Sequence, residues 1–146
     1  MNSDAAPHSA DESVVLKTFE EYLIASFSLD ANRVAQYYDE PFMFVTAASS
    51  ATVANRAAAE KFLSPGFAAL REGGYARTEF PTLRSASLGK GLAIISGLGV
   101  RYKADGTQMA SFGITYLWRQ VPAGWKLAVM TVHDPSKVLQ LEQSAR

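Results

Sequence analysis

Residues 75–133 read YARTEFPTLRSASLGKGLAIISGLGVRYKADGTQMASFGITYLWRQVPAGWKLAVMTVH. Three interruptions punctuate this stretch: Gly89-Lys90-Gly91, Ala104-Asp105-Gly106 and Val121-Pro122-Ala123-Gly124. Between them lie runs rich in β-branched and aromatic residues, and short turn-forming loops joining such runs are the signature of hairpins. The segment therefore predicts four antiparallel strands in a meander. Each is about nine to thirteen residues long, against a usual five or six, and long strands twist and bend strongly. Gly97, Gly99 and Gly113 fall inside the runs, where glycine marks a bend or bulge.

Upstream, the period changes from two to that of a helix. Residues 1–12 read as a loose tail, with Ser9 and Glu12 spaced as a capping box and Asp11 and Ser13 as rival caps. Val15, Phe19, Tyr22, Leu23 and Phe27 then recur on one face of a helix of about four turns. Asp30 is placed to cap a shorter helix carrying Val34, Tyr37 and Tyr38, and Pro41 bars its continuation. Phe42 to Ala47 reads as a strand, and Ala48 to Ala54 as a small-residue connection. Asn55 caps a helix through Ala58, Phe62 and Leu63, which Pro65 interrupts before a further turn ends at Gly73 and Gly74. Asp134 and Pro135 start a short C-terminal helix through Val138 and Leu141. No repeat or linker divides the chain, so residues 13–146 are expected to form a single domain.

Composition narrows the function classes. The chain has 146 residues, 48% hydrophobic and 19% charged, ordinary values for a globular protein. Fourteen basic residues balance fourteen acidic ones, so no cationic field is present to hold phosphates or an anionic membrane surface. The absence of cysteine excludes disulfides, thiolate nucleophiles and cysteine-based metal sites. No run approaches the length of a membrane span and the N-terminus lacks the apolar core of a signal peptide, so the expected location is cytoplasmic. Paired-carboxylate glycosidase chemistry, a phosphate-binding glycine loop and a histidine-rich metal site all lack support, and no cofactor is expected.

The order helix, short helix, strand, helix and four long antiparallel strands resembles the nuclear-transport-factor-2-like superfamily. The residues that carry the likeness are Leu29-Asp30-Ala31 with Tyr37-Tyr38-Asp39-Glu40-Pro41-Phe42, Asn55-Arg56-Ala57-Ala58-Ala59-Glu60-Lys61-Phe62, and Tyr116-Leu117-Trp118-Arg119 with Gly124-Trp125-Lys126-Leu127. The likeness covers about residues 13–134 and is greatest to the SnoaL-like and ketosteroid-isomerase-like branch. It implies an α+β fold in which N-terminal helices pack in the concave face of a strongly curved, mostly antiparallel sheet, a cone-shaped barrel with an interior pocket. The enzymes of that branch rely on a carboxylate on or beside the first strand. Here Phe42-Met43-Phe44-Val45-Thr46-Ala47 carries no acid.

Counting outward from the three turns assigns the faces. Leu92, Ile94, Ser96, Leu98, Val100 and Tyr102 are expected to share the inner face with Phe112, Ile114, Tyr116 and Trp118, completed by Trp125, Leu127, Val129, Thr131 and His133. The other face then holds a small-residue strip, Gly97, Gly99, Ser111, Gly113, Ala128 and Met130. An uncharged face needs cover, supplied either by a second copy in a homodimer or by the C-terminal segment.

The expected pocket lies between the concave sheet and the first two helices, with Tyr22, Tyr38, Phe44, Tyr116 and Thr131 in its lining. His133, the only histidine outside the tail, is the candidate acid or base. Arg84, opposite Ser96, or Arg101 supplies a cation to the pocket, depending on register. Three functions fit: a binding domain for a small apolar or amphipathic molecule, a cofactor-free lyase, isomerase or cyclase using His133, and an oligomeric association module.

Overall fold

The computed structural model describes residues 10–141. The fold is α+β: three helices and one six-stranded sheet of order β2-β1-β6-β5-β4-β3. Helix α1 runs Ala10–Phe27, about a turn longer than expected and with the start that a cap at Ser9 implies, and presents Glu12, Val15, Phe19, Tyr22 and Ala25 as its buried stripe. The tail expected to reach residue 12 therefore ends earlier. The reason is Glu12, whose carboxylate is buried and accepts a hydrogen bond from Ser85 Oγ at 2.9 Å. Its expected capping partner Ser9 lies outside the described residues.

Helix α2 is one short turn, Ala31–Ala35, capped as expected by Asp30, whose side chain accepts from the Asn32 and Arg33 amides. Tyr38 does not lie on it. It opens strand β1, Tyr38–Val45, whose pairing with β6 is interrupted between Tyr38 and Met43, where Pro41 has no N–H to give to a ladder. The small-residue stretch contains a strand absent from the sequence reading, β2, Ser50–Val53, paired antiparallel to β1. Helix α3, Arg56–Glu72, is capped by Asn55 and runs unbroken through Pro65, correcting the expected interruption.

The predicted meander is present as β3 (Tyr75–Ser87), β4 (Leu92–Lys103), β5 (Gln108–Val121) and β6 (Gly124–His133), with β1 joining β6 in parallel. Besides two irregularities where β3 pairs with β4, a one-residue irregularity in each of β5 and β6 changes the faces. Pairing shifts between Arg101↔Ala110 and Tyr102↔Gln108, leaving Met109 as an extra residue in β5, and between Leu117↔Val129 and Trp118↔Leu127, leaving Ala128 extra in β6. Each slip transfers every later residue to the other face. The inner face is therefore Ala93, Ile95, Gly97, Gly99 and Arg101 on β4, with Phe112, Ile114, Tyr116 and Trp118 on β5 and Leu127, Met130 and Val132 on β6. The expected inner set on β5 holds, whereas the β4 set and Val129, Thr131 and His133 are displaced to the outer face.

α1 packs into the concave side. Phe19 meets Tyr116 and Phe80 edge-on, at centroid distances of 5.3 and 5.5 Å. Tyr22 contacts Tyr37, Tyr38, Tyr116 and Trp118. The proposed small-residue strip is split between faces: Gly97, Gly99 and Met130 turn inward, while Ser111 and Gly113 turn outward. Part of the outer face is covered by the chain itself, because Asp134 caps a 3-10 turn, Pro135–Lys137, and the Leu139 amide then donates to Ser96 Oγ at 3.0 Å. That cover explains why Ser96 is fully buried on the convex side.

Candidate functional site

The three inward-facing elements, α1, α3 and the sheet, do not meet completely. Between them is a cavity of about 460 Å³. This volume lies within the range of about 300 to 1,000 Å³ seen for small-molecule sites. α3 supplies one wall through Phe62, Leu63, Phe67 and Leu70, positions spaced to fall on a single helical face. The expected helical partner was α2, which contributes nothing to the lining. The amphipathic spacing of α3 was the available signal.

The sheet supplies the rest. Phe44 on β1, Ile114 on β5, and Met130 and Val132 on β6 form an apolar wall. Phe44 and Phe62 meet edge-on at 5.4 Å, closing β1 against α3. Polar atoms are few and come from Tyr22, Tyr38, Tyr116, Ser26, Tyr75, Thr78 and Arg101. Tyr75 and Thr78 share a hydrogen bond of 2.8 Å, and Thr78 is the cross-strand neighbour of Arg101. Tyr22 and Tyr38 approach hydroxyl to hydroxyl at 3.5 Å, long for an O–H···O bond, so the contact is weak. The Tyr116 hydroxyl has no hydrogen-bond partner among the described residues.

These phenols are neutral donors, not bases. Burial raises Tyr22 to about 12, overriding the opposite effects of the Tyr38 hydroxyl and the Arg101 charge. Burial likewise pushes Tyr38 and Tyr116 well above the ordinary phenol value. Tyr75 is raised for the same reason, with the Thr78 hydrogen bond and Arg101 acting against it.

Of the residues expected in the site, Tyr22, Tyr38, Phe44 and Tyr116 line the cavity, while Arg84, Thr131 and His133 do not. Arg84 does pair with Ser96, as counted, but Ser96 faces outward. Thr131 pairs with Thr115 and Val45 on that same outer face. His133 Nε2 lies 2.8 Å from Thr115 Oγ1, and its Nδ1 lies 3.0 Å from the carbonyl oxygen of Asp134. The Ala128 bulge is the physical reason for the last two displacements. Of the two arginines left open by the register, Arg101 lines the cavity. Among the described residues no carboxylate or imidazole lines it, and no three potential metal ligands gather elsewhere.

A model of the NTF2-like protein family DUF6841 matches residues 11–135. The chain belongs to that NTF2-like family. No curated protein sequence matches it. Among solved structures, this NTF2-like chain is similar to an NTF2-like protein with a cystatin-like fold from Novosphingobium aromaticivorans, at 18% identity and a TM-score of 0.67 over 83% of this chain and 79% of that one. It is similar to an NTF2-like protein of unknown function from Pseudomonas putida, at 16% identity and a TM-score of 0.67 over 85% and 86%. It is similar also to the yeast UBP3-associated protein BRE5, at 17% identity and a TM-score of 0.64 over 82% and 92%. These likenesses establish the cystatin-like α+β fold. No described helix is long and apolar enough to cross a membrane.

Proposed function

We propose that this NTF2-like protein binds a small, mostly apolar molecule in the cavity between α1, α3 and the concave sheet. The observation that carries the reading is the lining: mostly apolar side chains, with a few polar groups among them, including the phenols of Tyr22, Tyr38 and Tyr116, whose rings cluster around Tyr22. Apolar bulk supplies affinity and a few donors fix orientation. Proton abstraction from a carbon acid is disfavoured, because that chemistry needs a base within hydrogen-bond reach and the lining offers none. His133, the expected base of a lyase or isomerase, faces away from the cavity.

The test is to fill the space. Ile114→Phe and Val132→Phe place a ring where a ligand would sit. Thermal shift with apolar probes should show stabilisation of the natural chain, since ligand at a hundred times its dissociation constant adds about 2.7 kcal/mol, and little stabilisation of the filled variants. Equal shifts in all three proteins would move the binding site out of the cavity.

A further inference from the structure

Among the described residues, Arg101 is the one charged side chain of the cavity lining. It stands on the inner face of β4 between Thr78 and Ala110, and its guanidinium carbon lies 4.4 Å from the centroid of the Phe112 ring. That contact with the ring uses none of the guanidinium's N–H donors in a hydrogen bond. Arg101 has no ion pair and no hydrogen bond among the described residues. Arg119 is paired with Asp39, Arg77 with Glu79, Arg56 with Glu60 and Asn32, and Arg71 with the Leu29 carbonyl, while Arg33 and Arg84 lie outside the cavity lining. A partly buried guanidinium with an unmet fork is costly unless something anionic or carbonyl-bearing completes it.

We propose that the cavity selects a ligand carrying a carboxylate and that the Arg101 guanidinium receives it. The inference rests on the cavity being a binding site. The geometry of the fork matches two carboxylate oxygens, and a bidentate pair of this kind is the strong form of hydrogen bond. A phosphate fits less well, because one arginine would meet two negative charges with only neutral tyrosines beside it. Tyr75 and Thr78 adjoin the arginine and make a polar corner, while Phe44, Phe62, Met130 and Val132 line the rest. The ligand is thus amphipathic, its acid at Arg101 and its hydrocarbon or aromatic body against α3 and β6.

The experiment uses the full chain and calorimetric titration with octanoate, decanoate and naphthoate, each against the alcohol of the same skeleton. The acids should bind at least about tenfold tighter than their alcohols, the effect of one charge-assisted pair. Arg101→Met should abolish that preference while leaving alcohol affinity in place. Arg101→Lys, which keeps the charge and loses the fork, should retain only part of it. Circular dichroism confirms that each variant is folded, and the lysine variant alone decides the matter if the methionine one is not. Equal affinity of acid and alcohol in the natural chain, a preference that survives Arg101→Met, or a lysine variant identical to the natural chain overturns the inference while the binding reading stands. Failure of every acid and every alcohol to bind overturns both.

Discussion

His133 Nε2 stands 2.8 Å from Thr115 Oγ1 on the sheet face turned away from the cavity. Thr115 Oγ1 in turn lies 2.8 Å from Ser96 Oγ, so three side chains form a hydrogen-bonded row across β4, β5 and β6. His133→Ala shortens the row at one end and leaves Thr115 still paired with Ser96. The Nδ1 contact to the Asp134 carbonyl is lost as well, so stability should fall by about 1 to 2 kcal/mol, the ordinary worth of two such bonds. Affinity for cavity ligands should not change. Urea unfolding and titration with an apolar probe measure the two effects separately, and a collapse of affinity would return His133 to the site.

Ser96 is the anchor of that row and of the C-terminal segment. Its hydroxyl oxygen accepts from the Leu139 amide at 3.0 Å while the same atom pairs with Thr115. Ser96→Ala removes both contacts at a fully buried position and leaves the Leu139 N–H without its partner. A loss of roughly 1 to 3 kcal/mol is expected, as for any orphaned donor. Release of the segment should appear as faster proteolytic cleavage after Lys137. Cleavage at the natural rate would mean that other contacts hold the segment down.

Much of the fold was legible in the sequence because turn chemistry is local. Gly106 adopts φ 90° and Gly124 φ 126°, values that disfavour residues with a side chain, and the hairpins close there as read. Asp30 and Asn55 cap helices as read for the same reason. Strand faces depend on pairing across the sheet, and a single extra residue reverses them. Met109 and Ala128 carry no sequence mark of a bulge, so the choice between Arg84 and Arg101 stayed open and Met130 went unassigned to the cavity, while Thr131 and His133 were assigned to it. Strand β2 was missed because Ser50-Ala51-Thr52-Val53 is short and weakly patterned, and only pairing with β1 makes it a strand.

A charge placed at Gly113, in the small-residue strip, does not test the expected homodimer. A Cβ added at Gly113 would meet the Asp134 carbonyl oxygen at 2.5 Å and His133 Nδ1 at 2.6 Å, so a charge there disrupts the chain's own C-terminal segment first. Ile94, Leu117 and Val129 form a cross-strand row on the outer face and are partly exposed. Leu117→Glu should convert a dimer into a monomer by light scattering while altering monomer stability by no more than about 0.5 kcal/mol, as for an ordinary surface change. A monomer mass for the natural chain at micromolar concentration removes the dimer.

The buried phenols predict how the protein fails in alkali. Tyr22 has its folded-state pKa raised to about 12 from an ordinary value of 10.0, chiefly by burial. Because the folded value is the higher one, the unfolded chain releases its proton first. The contribution of the neutral phenol is therefore fully present below pH 10 and is lost as the pH climbs toward 12. A difference of about 2 pKa units corresponds to roughly 3 kcal/mol, and Tyr38 and Tyr116 shift in the same direction and add to the loss. Stability measured by urea unfolding should thus be flat near neutral pH and fall steeply above pH 10. Tyr22→Phe removes one titrating group together with its long contact to Tyr38, so it should cost about 1 kcal/mol near neutral pH and make the alkaline fall shallower. Phenolate absorbance should show these three tyrosines ionising only with unfolding. A variant as steep in alkali as the natural chain would mean that Tyr22 reaches water in the folded state, and with it that the cavity is wetter than its lining implies.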